Sequence, residues 1–307
     1  MENNIKNWIM DYGVIARKRF YRKEKIRFIK RIEQEFHQMG YKTSILSPQG
    51  SKGKAIDLLI GDVKTAKNIV VANYDTPVKS FGLFPYKPFD LRYRNTWYLA
   101  IVAVPLIVIA MICFLFSTTF LKIEWLKGIF HIEDLWALLI YIIGIVLIVH
   151  YAKGIPNSRN LNRNSSGVIA MLSLANSLNE KQRSTTAFVL TDFGCINHLG
   201  DQMIKAYMET YDKTNFIVMD CVGKANTTGI CYSPSFSSKV HKFDHNIVRF
   251  PLDEKNNAAK LYPNTLFISS GTITNDTLVC EHVNTRKDID LDSEHIIYIA
   301  KQVQTLL

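Results

Sequence analysis

Cysteine is scarce in this chain and never placed in pairs. The 307 residues hold five, Cys113, Cys195, Cys221, Cys231 and Cys280. They make no C-x-x-C pair, which argues against a disulfide scaffold or a zinc-finger fold and for reduced thiols in a cytosolic setting. Glycine and proline, at 15 and 9 residues, are too few for a low-complexity or fibrous chain. No cleavable leader is expected, because the N-terminus is polar and then basic. Negative charge is thin in one region only. Residues 1–94 hold 19 Lys or Arg against 9 Asp or Glu, and the rest holds 18 of each. The whole excess of +10 therefore precedes residue 95.

What is present is mixed in character. The chain is 48% hydrophobic and 21% charged, with a mean hydropathy of +0.02, the balance of a soluble body carrying a few membrane spans. Two uncharged apolar runs stand out, Trp97 to Phe116 and Leu135 to Ala152. Each is close to the roughly 20 residues that cross a bilayer core, and Trp and Tyr mark their ends. Lys79, Lys87, Arg92 and Arg94 precede the first run, and Lys153, Arg159 and Arg163 follow the second. The positive-inside rule then predicts a two-helix hairpin over 95–152 in the cell membrane, with both termini cytoplasmic and the linker 117–134 outside.

The basic excess is densest at Arg17, Lys18, Arg19, Arg22, Lys23, Lys25, Arg27, Lys30 and Arg31. No zinc-finger, helix-turn-helix or RNA-binding signature accompanies it. A nucleic-acid partner is therefore not expected, and an anionic cytoplasmic leaflet suits the cluster better.

Removing the hairpin leaves 1–94 and 153–307 as one discontinuous domain. Helical spacing predicts a helix over Lys25–Met39 stopped by Gly40, and further helices over Gly167–Leu178, His198–Tyr211 and Ser293–Leu307. Ala55–Ile60, Asn68–Ala72, Thr186–Leu190, Asn215–Met219 and Leu266–Ser270 read as buried strands. This alternation predicts an α/β fold with a mostly parallel sheet covered by helices. In such sheets the working residues follow the carboxyl ends of the strands.

Four segments lie there: Asn73-Tyr74-Asp75-Thr76, Asn162-Arg163-Asn164-Ser165-Ser166-Gly167, the stretch from Asp192 through Gly194 and Cys195 to Gly200, and Asp220-Cys221-Val222-Gly223. Their order and spacing resemble the di-zinc exopeptidase family, which includes leucyl-type aminopeptidases, glutaminyl cyclases and the transferrin receptor ectodomain. The resemblance implies a three-layer exopeptidase fold. It also implies a site in which zinc ions about 3.5–4 Å apart share a carboxylate. Carried over by position, the family's first His is Asn73, its bridging Asp is Arg163, its general-base Glu is Gly194, the next Glu is Cys195 and its late His is Asn284. Only Asp75 and Asp220 match. Zinc is therefore not expected, and Arg163 is expected to take the place of the metals by pairing with Asp220 or Asp75.

Other residues have rival readings. Cys195 and His198 could form a nucleophile and base. His241 and His245 are spaced to hold a metal on a helix, although a surface loop suits their surroundings better. A shifted register would make His282 the late histidine. The expectation from sequence is a catalytically inactive, membrane-tethered relative of the exopeptidases. It would serve as a binding or scaffolding subunit, with another membrane protein, a second copy or a peptide in the vestigial site as partner. The alternatives are a membrane-bound metallopeptidase with a remodelled site and a polybasic binder of anionic lipid.

Overall fold

The computed structural model describes residues 2–47, 55–80, 84–120, 132–208, 212–224 and 226–307. It divides into two units, one of residues 1–95 with 156–307 and one of residues 96–155. The chain opens with α1 (Glu2–Trp8), a π-helical turn (Ile9–Ile15) and α2 (Arg22–Gln38). Glu24 starts α2 by accepting the backbone N–H groups of Phe20 and Tyr21 at 3.1 and 3.0 Å, as a helix N-terminus requires. The buried stripe of α2 is Lys25, Phe28, Ile29, Ile32 and Phe36, the three-to-four spacing of one helical face. Gly40 ends it at φ +84°, where glycine carries no strain.

There follow β1 (Thr43–Leu46), β2 (Asp57–Ile60), β3 (Asn68–Asn73), α3 (Leu91–Phe120) and α4 (Ile132–Tyr151). A second π-helical turn (Leu161–Ser165) leads into α5 (Ser166–Ser177), α6 (Glu180–Arg183), β4 (Thr186–Thr191) and α7 (Leu199–Met208). The chain closes with β5 (Asn215–Met219), β6 (Thr227–Tyr232), β7 (Val248–Pro251), β8 (Thr265–Thr274), β9 (Thr277–Val279) and α8 (Ser293–Gln304). The expected end of the helix at Tyr211 falls on residues 209–211, outside those described.

The described strands form one sheet in the order β1-β2-β4-β3-β5-β8-β6-β7, with β9 beside β8. Its middle, β4-β3-β5-β8, is parallel. The pairs β1-β2, β2-β4, β6-β8 and β8-β9 are antiparallel, so the expected mostly parallel sheet is a mixed one. One cause is local: Asn275 and Asp276 both take positive φ, 49° and 59°, and close a two-residue hairpin of the type that matches strand twist. Val70, Phe188 and Ile217 enter one core with α2, α5 and α8, whereas Ile69, Val189 and Val218 enter a second core with α7. Burial on both faces makes the central strands unbroken apolar runs. It also aims their carboxyl ends at Asn73, Asp192 and Asp220, beside the start of α5.

Two expectations are corrected here. Among the described residues, one helix is long and apolar enough to cross a membrane, Leu91–Ser117, and none of that stretch is buried. Among the described residues the apolar stretch of α4 is the shorter Leu138–Tyr151. The two-span hairpin is therefore reduced to one qualifying span. Most of the expected outer linker, 121–131, lies outside the described residues. Within this unit the two helices meet where Gly144 faces Cys113, whose Sγ would collide with any Cβ at 144.

The basic cluster is also not a single surface. Arg19 is fully buried and Lys25 is 4% exposed. Lys25 lies on the same helical stripe as Phe28, Ile29, Ile32 and Phe36, so its stem runs inward and its ammonium pairs with Asp192. The guanidinium of Arg19 donates to the carbonyls of Tyr12 and Ala16, to Asn160 Oδ1 and to Ser165 Oγ, over the Phe28 ring at 4.5 Å.

Candidate functional site

The strand-end residues gather around one buried ion pair. Arg163 stands in the π-helical turn before α5. The side chain of Asp288 fixes this turn by accepting the backbone N–H groups of Asn162 and Arg163 at 2.8 and 3.1 Å. Burial pushes the Asp288 carboxyl up to about 7, against the pull of these two N–H groups. From there the Arg163 guanidinium bonds Asp220, at the end of β5, and Asn164 Oδ1 at 2.8 Å. Arg163 is 1% exposed and Asp220 2%. Burial works against the charge of Arg163, but Asp220 outweighs it and holds the guanidinium pKa well above its usual value.

Tyr86 closes the pair. Its ring lies 4.1 Å from the Arg163 guanidinium and its hydroxyl donates to Asp220 Oδ2 at 2.6 Å. Arg94 approaches the same ring at 5.2 Å and donates to the Gly194 carbonyl at 3.1 Å. Neither Tyr86 nor Arg94 was foreseen as a site residue, since both come from a segment without periodic pattern. The expected choice between Asp220 and Asp75 is settled for Asp220. The Asp75 carboxylate instead accepts the Cys195 backbone N–H at 3.3 Å, and its carbonyl accepts Asn164 Nδ2.

Asn73 ends β3 and accepts the Thr191 hydroxyl at 2.6 Å. Its side chain occupies the space that a Cβ at Gly194 would need, so these two positions are mutually fitted. Gly194→Ala is therefore expected to destabilise the protein by about 1–3 kcal/mol through overpacking. Asn73→Ser, which shortens the blocking side chain, is expected to recover part of that loss in the double variant. Additive losses in thermal melts of the two singles and the double would show that the positions are independent.

The remaining candidates separate. Burial pushes the Cys195 thiol up to about 12 although Arg163 pulls it down, so it stays protonated. Its Sγ meets Asn164 Nδ2 at 3.1 Å, while His198 turns to Asp201 at 2.8 Å, so the two are not brought together as nucleophile and base. Asn284 lies in a neighbouring loop, where its carbonyl accepts the Ser80 backbone N–H at 2.9 Å. His241, His245 and His282 are exposed, and no helix joins the first two. Among the described residues no three of His, Cys, Asp and Glu form a group that could hold a metal ion. Five non-glycine residues in these loops, Phe193, His198, Cys221, His282 and Asn284, take φ between 55° and 61°, sparsely populated backbone of the kind that collects at functional sites.

Neither a family model nor a curated protein matches the chain. Solved structures do. Tannerella forsythia glutaminyl cyclase matches with a TM-score of 0.58 and 13% identity over 100% of this chain and 97% of its own. A leucine aminopeptidase precursor from Bacteroides thetaiotaomicron matches at 0.57 and 13%, covering 99% and 94%. A Zn-dependent exopeptidase from Parabacteroides distasonis matches at 0.56 and 11%, covering 98% and 94%. The chain has the exopeptidase and glutaminyl cyclase fold. The proteins that share it are enzymes, and this overturns the expectation that the chain is not one.

Proposed function

We propose that this exopeptidase-fold protein is anchored in the membrane and acts as a binding subunit of a membrane complex, with a strand-end site built on arginine instead of zinc. The observation that carries the reading is the buried Arg163–Asp220 pair under Tyr86. The residues do not fit two zinc ions. A guanidinium already occupies Asp220, and Asn73 and Gly194 are fitted to each other.

The support for anchoring is topological. β3 precedes α3 in the chain, yet it pairs with β4 and β5, which follow α4. Both halves of the sheet therefore lie on one side of any membrane that α3 crosses, and α4 is the segment that would bring the chain back. Lys79, Lys87, Arg92 and Arg94 ahead of α3 favour the cytoplasmic side.

The test is purification of the full chain from membranes in mild detergent, followed by metal analysis and assays on aminoacyl and glutaminyl peptides. The expected result is substoichiometric zinc and a stoichiometric partner, or second copy, retained through gel filtration. Stoichiometric zinc, with turnover lost in Cys195→Ala, would instead establish a peptidase with a remodelled site.

A further inference from the structure

The surface that the site leaves unused is the outer face of α2. Opposite the stripe that begins at Lys25, the helix exposes Arg22, Lys23, Ile26, Arg27 and Lys30. At 100° per residue these five positions form one continuous arc over the first turns. The arc carries four cations and no carboxylate. Of the acids on the same helix, Glu24 caps its start, Glu35 is turned to Trp8 and Tyr12, and Glu33, one turn beyond Lys30, is half-buried and accepts the Thr43 hydroxyl at 2.8 Å. The arc also carries exposed apolar surface, Ile26 at 37%, and the chain leading into it exposes Tyr21 at 43% and Ile15 at 61%. Apolar side chains standing in water among cations are the composition of an interfacial helix, in which the cations meet phosphates and the apolar groups enter the headgroup layer. A nucleic-acid backbone would use the charge but not the isoleucines.

We propose that this face of α2 docks on anionic phospholipid. The occupant follows from charge complementarity. The whole basic excess of the chain lies before residue 95, Arg19 and Lys25 are withdrawn from it by burial, and four of the cations that remain share this arc. The proposal rests on the membrane-anchored reading and adds a second, reversible contact to it.

The experiment uses the full chain in nanodiscs of phosphatidylcholine with or without phosphatidylglycerol and measures hydrogen exchange of residues 15–31. Phosphatidylglycerol is expected to slow exchange there by about tenfold or more, since basic residues are drawn to an anionic surface. The difference is expected to vanish at high salt and in the Arg22→Gln/Lys23→Gln/Arg27→Gln/Lys30→Gln variant, whose fold is checked by its melting curve. Ile26→Ser is expected to lose part of it. Equal exchange in the two discs overturns the proposal. So does protection that RNA produces and phosphatidylglycerol does not. Alkaline extraction reads the anchor separately. A chain that is extracted, yet sediments with phosphatidylglycerol vesicles in a way the fourfold variant loses, keeps the docking face and sinks the anchor.

Discussion

Arg163→Ala is expected to destabilise the protein by about 3–5 kcal/mol, the range for removing one partner of a buried ion pair. The loss arises from what remains. Asp220 is buried, and without the guanidinium its side chain keeps the Tyr86 hydroxyl and an uncompensated charge. Arg163→Lys is expected to fall between, since an ammonium lacks the planar guanidinium that faces the Tyr86 ring while its Nη1 donates to Asp220 and Asn164. Arg163→Met with Asp220→Asn, which removes both charges, is expected to recover much of the loss. Arg163→Asp is expected to do worse than alanine and to bind no zinc in a calorimetric titration, because Asn73 and Gly194 supply no further ligands. Denaturant midpoints of the detergent-solubilised chain are the measurement. An unchanged midpoint for Arg163→Ala would remove the pair from the account of stability.

The second large effect is expected at Lys25. Lys25→Met keeps the apolar stem on the α2 stripe but strips Asp192 of its ammonium, at a cost of about 3–5 kcal/mol near neutral pH. The sign with pH follows from Asp192, whose carboxyl is pushed up to about 6 by burial even with Lys25 pulling it down. A folded-state value above the unfolded one means that this group binds a proton on folding, so its contribution to stability falls as pH rises from about 4 to 6. Without Lys25 the folded value is higher still, and the fall continues beyond pH 6. The deficit of the variant is therefore expected to be smaller at pH 5 than at pH 8 in thermal melts. A deficit independent of pH would mean that the Lys25–Asp192 charge pair is not its source. The same residue separates two meanings of the basic cluster. Neutralising Arg19 or Lys25 is expected to disturb the fold, whereas neutralising Arg22, Lys23, Arg27 and Lys30 together is expected to disturb it less.

The central sheet was legible in the sequence because its strands are buried on both faces. Asn68–Ala72, Thr186–Leu190 and Asn215–Met219 are uninterrupted apolar runs that no helix pattern competes with. The edges were not legible. β1 is four residues long and partly exposed, β6 contains Gly229, and β7 ends on Pro251, so none shows the alternation that marks a strand. At the site, Asn73, Arg163 and Asp220 were found by their place after strands or before a helix. Tyr86, Arg94 and Asp288 come from connecting segments or a helix start and reach partners far along the chain, and no local pattern records such contacts. Lys25 could have been read correctly, since its spacing to Phe28, Ile29, Ile32 and Phe36 already placed it inside.

The strand order also governs how the chain can fold while it is being made. Within residues 1–95 the neighbours available are β1 and β2, which pair with each other. β3 sits between β4 and β5, so both of its edges stay open until the chain beyond α4 has emerged. At synthesis rates of roughly 5–20 residues per second, this leaves an apolar strand unpaired for several seconds, and unpaired edges invite aggregation. The apolar helices emerge within that interval. On the membrane-anchored reading proposed above, insertion would precede completion of the sheet, and a failure of insertion would be expressed first as a misfolded sheet domain.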